Sequence, residues 1–204
     1  MALLQSFLSS LPWAFGLGLA LLAGLVFVLV SCQTANQSVT RVAEYQSAVA
    51  SAEAASLAPG STEEQAAIAR VKAFLSNLSP ENVAATTGDV YADDAYFNDT
   101  LKTLRGVDQI ETYLIHTAKT VTSISVEFDD VARSGKDYYF RWRMDFQAPK
   151  LDKGGVIRTI GMTQVRFNEE GKVVLHQDFW DSSAGLFEHL PVTNQMINAV
   201  RKRL

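Results

Sequence analysis

Residues 176 to 180 read His-Gln-Asp-Phe-Trp. In an extended strand alternate side chains share a face, so His176, Asp178 and Trp180 project together while Gln177 and Phe179 project the other way. A histidine and a carboxylate two residues apart on one wall can share a proton and act as acid and base. The same pair could equally do no more than hydrogen-bond a neighbouring strand or helix end. A second polar and aromatic string, Tyr91 to Asp99, supplies Tyr96, Asn98 and Asp99. A third, Tyr138 to Gln147, divides by parity. Tyr138, Phe140, Trp142, Met144 and Phe146 form one face, and Tyr139, Arg141, Arg143, Asp145 and Gln147 the other. If the large apolar residues line an interior, Arg143 and Asp145 lie outside it. No third ligand at metal spacing accompanies His176 and Asp178, and neither a GxGxxG nor a P-loop string occurs, so neither metal nor cofactor is expected.

The elements that must position these residues are readable from capping and turn signals. Ser61 and Glu64 fit a capping box ahead of Ile68, Val71, Phe74, Leu75 and Leu78 at helical spacing, which predicts a first helix to about Asn77. Ser79-Pro80 predicts a second, short helix from Glu81 to about Tyr91, and Gly106 precedes a third over Val107 to about Lys119. Four segments rich in β-branched and aromatic residues follow, near 122–133, 137–148, 156–168 and 172–181. Turn pairs at Ser134-Gly135, Gly154-Gly155 and Glu170-Gly171 separate them. Helices followed by a meander predict an α+β domain over 61–204, a curved antiparallel sheet wrapped on N-terminal helices.

The order of these elements, with Tyr91 to Asp99, Leu104-Arg105-Gly106, Arg141-Trp142, Glu170-Gly171-Lys172, His176 to Asp181 and Glu188-His189-Leu190-Pro191, resembles the nuclear transport factor 2-like superfamily, and within it the SnoaL-like proteins. The resemblance implies a cone-shaped barrel with Asp178 looking into the cone. It leaves function open, since the superfamily holds isomerases, dehydratases, epoxide hydrolases, cyclases and members without catalysis. One pattern resembles limonene-epoxide hydrolase. Tyr96 and Asn98 would hold a water, Asp178 would act as base, Asp145 as acid, and Arg143 would bridge the two carboxylates. The competing site is a pocket centred on His176, Asp178, Asp99 and Tyr96, with Trp142 and Trp180 as ligand contacts.

Composition bounds the remaining choices. With 48% apolar and 20% charged residues in 204, the chain can bury one sizeable core. Net charge is -4, and 61–204 holds 17 basic against 20 acidic residues, which argues against a nucleic-acid surface. No charged side chain precedes Arg41, and Leu11 to Val30 is an uninterrupted apolar run. As a helix that run is long enough to cross a hydrocarbon core of about 30 Å. Residues 1–32 are therefore expected to be a single-pass membrane anchor, in a bacterial inner membrane, or a signal segment ending at a lipidated Cys32. Residues 33–60, rich in Ala, Ser and Gln, are expected to form a partly helical spacer ended by Pro59 and Gly60. The expected function is binding of a small apolar molecule, lipid-derived or otherwise, with cofactor-independent acid-base chemistry of hydrolase or isomerase type, in a homodimer joined through the outer sheet face. The alternatives are a non-catalytic binding or assembly module and a lipoprotein ligand carrier.

Overall fold

The computed structural model describes residues 41–52 and 54–204. The expected membrane span and Cys32 lie outside the described residues. Among the described residues no helix is long and apolar enough to cross a membrane. Residues 41–51 are helical. The spacer does not stay helical up to Pro59. Residues 54–58 have no regular secondary structure and 59–60 form a turn, with the Ala55 amide donating to the Phe167 carbonyl at 2.8 Å and Leu57 buried in the core. An apolar side chain near a core edge gains more from burial than a short alanine-rich turn gains from helix propensity.

Over residues 61–204, α1 (Thr62–Leu75) and α2 (Pro80–Val90) come first, and α3 (Val107–Thr120) follows two strands. Their starts follow the capping logic. Ser61 Oγ accepts from the Glu64 amide at 3.1 Å, and Ser79 Oγ accepts from the Asn82 amide at 3.3 Å ahead of Pro80. Glu64 reaches back to the Gly60 amide at 2.6 Å, one residue beyond the usual capping-box partner. Its other oxygen accepts from Tyr138 Oη at 2.7 Å and Arg133 Nη1 at 2.5 Å, which fixes α1 to the long hairpin.

The sheet has six strands rather than four. β1 (Tyr91–Asn98) and β2 (Thr103–Arg105) join β3 (Ser123–Ser134), β4 (Asp137–Gln147), β5 (Val156–Phe167) and β6 (Val173–Trp180), in the order β2-β1-β6-β5-β4-β3. It is mixed, not wholly antiparallel, because β1 pairs with β6 in parallel, Phe97 beside His176 and Asn98 beside Gln177. β1 escaped the sequence reading because Asp93 and Asp94 interrupt its alternation, and its register with β6 shifts between Tyr91 and Tyr96. After β6 come a short helical turn, α4 (Ser182–Gly185), and a final helix, α5 (Pro191–Arg201).

The faces of β4 separate as the parity argument required. Tyr138, Phe140 and Trp142 are buried, and the first two join Val71, Phe74, Val83, Tyr91, Phe97, Ile110 and Phe167 in one core against the helices. The outer face carries ions. A bulge at Asp129 turns both Asp129 and Asp130 outward, where Asp130 pairs with Arg141 at 2.5 Å and Asp129 with Arg143 at 3.0 Å.

Candidate functional site: a polar apex in an apolar cone

Beyond the core, toward the far ends of β3 and β4, the cone stays open as a cavity of about 330 Å³. Its walls are Leu75 at the end of α1 and Leu78 after it, Tyr113, Leu114 and Thr117 of α3, Ile124 and Val126 of β3, and Trp142, Met144 and Phe146 of β4, with Gly185 and Leu186 at the C-terminal side. Cross-strand register places Trp142, Gly161 and Trp180 in one row and Thr163 beside Asp178 in the next. Gly161 makes this possible. A Cβ there would stand 2.4 Å from the Trp142 ring and 2.8 Å from Trp180 Cβ, so the absence of a side chain lets two indoles share one patch of sheet.

Polar groups in this wall are few and joined. His176 Nε2 lies 3.1 Å from Asp178 Oδ1, and His176 Nδ1 lies 2.9 Å from the Tyr91 hydroxyl. Thr163 Oγ1 donates to Asp178 Oδ1 at 2.5 Å and accepts from Trp142 Nε1 at 2.9 Å. Burial, reinforced by the charge of Asp178, raises the Tyr91 phenol well above its ordinary value, so it stays a donor. Donor counting then assigns the tautomer. Tyr91 donates to Nδ1, and Nε2–H donates to Asp178. Both bonds to the carboxylate end on Oδ1. Oδ2 has no protein donor among the described residues and belongs to the cavity wall, with the Asp178 side chain 18% exposed against 3% for His176.

A second carboxylate, Asp99, is held for turn building. Its Oδ1 accepts from the Leu101 and Lys102 amides at 2.9 and 2.7 Å, and its Oδ2 from the Tyr113 hydroxyl. Burial and the bond to Asp99 push the Tyr113 phenol far up, which keeps its proton on that bond. Trp180 Nε1 donates to the Asp99 carbonyl at 3.0 Å and to Thr100 Oγ1 at 2.6 Å. Thr100 adopts a left-handed backbone (φ 75°), held by its amide bond to Asn98 Oδ1 at 2.7 Å.

 Five of the nine residues singled out for chemistry line the cavity: His176, Asp178, Trp142, Trp180 and Asp99. The other four do not. Tyr96 and Asn98 point to the opposite face of β1, where Tyr96 Oη bonds Gln177 Oε1 at 3.4 Å and Asn98 Nδ2 bonds Thr103 Oγ1 at 2.7 Å. Arg143 and Asp145 lie on the outer face of β4, with side chains 57% and 47% exposed, paired to Asp129 and Arg158. The water-holding pair, the acid and the bridging arginine of the epoxide-hydrolase pattern are thus separated from Asp178 by the thickness of the sheet. Spacings within a strand matched, but side-chain parity places them on the wrong side. The sequence reading missed Tyr91, Tyr113 and Thr163. Tyr113 carried a signal, at helical spacing from Ile110, whereas Tyr91 and Thr163 reach Asp178 only through strand register.

Among the described residues no group of three or more His, Cys, Asp or Glu side chains could hold a metal ion. What the arrangement can do is accept a proton or a hydrogen bond at one carboxylate oxygen at the end of an apolar chamber.

A curved, unclosed sheet wrapped on helices around such a chamber defines an α+β class of fold. Within it the chain belongs to the SnoaL-like domain family, whose model matches residues 71–176. Solved structures agree on the fold. An M. tuberculosis LEH-like epoxide hydrolase superposes with a TM-score of 0.51 at 20% identity, covering 69% of this chain and 98% of that one. A protein of ketosteroid isomerase-like fold from Catenulispora acidiphila, solved with trimethylamine, gives 0.51 at 17% identity, over 60% and 91%. TsrD from Streptomyces laurentii gives 0.51 at 16% identity, over 63% and 95%. No curated protein matches the sequence.

Proposed function

We propose that this SnoaL-like domain binds a small apolar molecule bearing one proton donor, and that Asp178 Oδ2 receives that donor. The observation that carries the reading is the division of labour at Asp178, with Oδ1 tied to His176 and Thr163 and Oδ2 turned to an otherwise apolar cavity. For a hydroxyl or an ammonium the outcome is binding. For an acidic C–H it is proton abstraction, the entry to isomerase-type chemistry, with His176 steadying the carboxylate. Epoxide hydrolysis of the limonene type is not part of the reading, because its remaining groups lie on other faces. The domain is further proposed to be held at a membrane by residues 1–32. Its sheet's outer face, where Val156, Ile160 and Phe179 are exposed, is proposed to form a homodimer.

A second reading, a carrier without catalysis, is favoured by one specific feature. Trp142, Trp180, Thr163 and Tyr113 all donate to protein acceptors, so none of these four is an uncommitted donor for a developing oxyanion.

Asp178→Asn tests the proposal. The amide oxygen can still accept from His176 and Thr163, while an NH2 replaces Oδ2 and presents a donor where an acceptor stood. In a thermal-shift and calorimetric screen of apolar alcohols, amines, enolisable ketones and epoxides, ligands of the wild-type protein are expected to lose at least about tenfold in affinity, or roughly 1.4 kcal/mol. Folding should change by no more than about 1 kcal/mol, the difference between charged and neutral hydrogen bonds. Unchanged affinity in a folded variant would remove Asp178 from the site.

A further inference from the structure

Helix α5 follows the cavity's C-terminal wall, beginning after Leu186, which lines the cavity, and the turn Phe187–His189. It buries none of its residues. At 3.6 residues per turn, Val192, Met196, Ala199 and Val200 fall within one arc of roughly 100°. All four are exposed, and Val192, Met196 and Val200 are 72%, 64% and 58% exposed. Thr193, Asn194 and Ile197, on the neighbouring arc, are half-buried toward the domain. Beyond the apolar strip stand Arg201, Lys202, Arg203 and a fully exposed Leu204. Glu188 pairs with Arg201 at 2.7 Å, and among the described residues Lys202 and Arg203, at the end of the strip, have no ion-pair partner.

An exposed apolar strip ending in a basic cluster, in a chain of net charge -4, is the pattern of a helix lying in a bilayer interface rather than of a solvated surface. We infer that α5 lies on an anionic lipid surface, with Val192, Met196 and Val200 in the acyl boundary and Lys202 and Arg203 at the headgroups. Two further features favour lipid over other occupants. The uncharged run from Leu11 to Val30 supplies a bilayer to the same chain, and the basic pair complements anionic headgroups. In this pose the helix on the bilayer is joined through the turn Phe187–His189 to Leu186, a wall residue of the cavity, which would bring the chamber close to a source of apolar ligands. The inference takes from the proposed function only that the chain is held at a bilayer.

The test uses the full chain with Cys32→Ser and one new cysteine carrying an environment-sensitive fluorophore, at Met196→Cys or, as a control, at Glu170→Cys in the exposed β5–β6 turn. The chain is mixed with vesicles of phosphatidylcholine alone or with phosphatidylglycerol, with and without spin-labelled lipid. The expected result is a blue shift and lipid quenching of the Met196→Cys probe in anionic vesicles only, with the control remaining aqueous. Lys202→Gln and Arg203→Gln should each lower the inserted fraction about fivefold. A vesicle-bound chain whose Met196→Cys probe stays aqueous overturns the inference alone. A chain that does not bind vesicles overturns the inference and the membrane reading together. A probe shielded without lipid means that the strip is covered by the chain itself or a second copy, and equal quenching in neutral vesicles removes the anionic surface; either outcome overturns the inference.

Discussion

Tyr91 and Asp178 are linked only through the imidazole between them, and this makes Tyr91 a positioning residue. Its hydroxyl reaches His176 Nδ1, and the ring of His176 is also held against Phe97 with centroids 4.5 Å apart. Removing the hydroxyl leaves a buried acceptor unpaired and frees the imidazole to exchange tautomers, after which Nε2 no longer need donate to Asp178. Tyr91→Phe is therefore expected to cost about 1 to 3 kcal/mol of stability. It should also move the nitrogen chemical shifts of His176 toward the other tautomer. A variant that loses stability while the His176 shifts stay unchanged would reduce Tyr91 to a packing residue. At this scale the sequence showed which strand bore the paired histidine and carboxylate, because parity alone put His176, Asp178 and Trp180 together. It could not show Tyr91, more than eighty positions away, since that contact depends on β1 running parallel to β6.

Elements decide which side of the sheet a residue serves. The first three helices and the four long strands were legible from caps, turns and alternation, because each signal is local. The short β2 and the interrupted β1 were not, since tertiary pairing forms them. The consequence was functional, as without β1 the outward aim of Tyr96 and Asn98 could not be foreseen. Gly161 is the element-scale feature most open to test. Gly161→Ala places a methyl 2.4 Å from the Trp142 ring, whose Nε1 is tied to Thr163. The ring must shift, costing about 1 to 3 kcal/mol, and the shift alters the cavity wall. The expected outcome is a lowered melting temperature together with weakened ligand binding. An alanine variant with wild-type melting and binding would mean that the two indoles have slack.

Across the whole molecule, two carboxylates join elements distant in sequence, and both favour the charged state. The Gly60 amide and the Tyr138 hydroxyl hold Glu64 below its ordinary value of 4.5, against burial and with help from Arg133. Burial alone would raise Asp137 above 3.8, but bonds from Arg166 and Gln164 and the charge of Arg166 outweigh it and bring it lower. Burial and Glu64 push the Tyr138 phenol up to about 12, so its donation to Glu64 persists at neutral pH. The sign follows. A carboxylate whose folded value is depressed contributes stability that is fully present above its unfolded value and lost as pH falls through the folded one. Stability from these two sites should therefore hold down to about pH 5 and decline below 4.5 for Glu64 and below 3.8 for Asp137. Glu64→Gln isolates one share, because the amide lacks the charge that pairs with Arg133 and presents an NH2 toward one of its donors. At pH 7 the variant is expected to be less stable by on the order of 1 to 3 kcal/mol. At pH 3, below the ordinary value of 4.5 at which the carboxylate of the unfolded chain takes up its proton, the gap should narrow. Urea midpoints measured for both proteins across that range decide it: a gap that stays constant from pH 7 to pH 3 would mean that Glu64 supports the fold through shape and hydrogen bonding alone, independent of its charge.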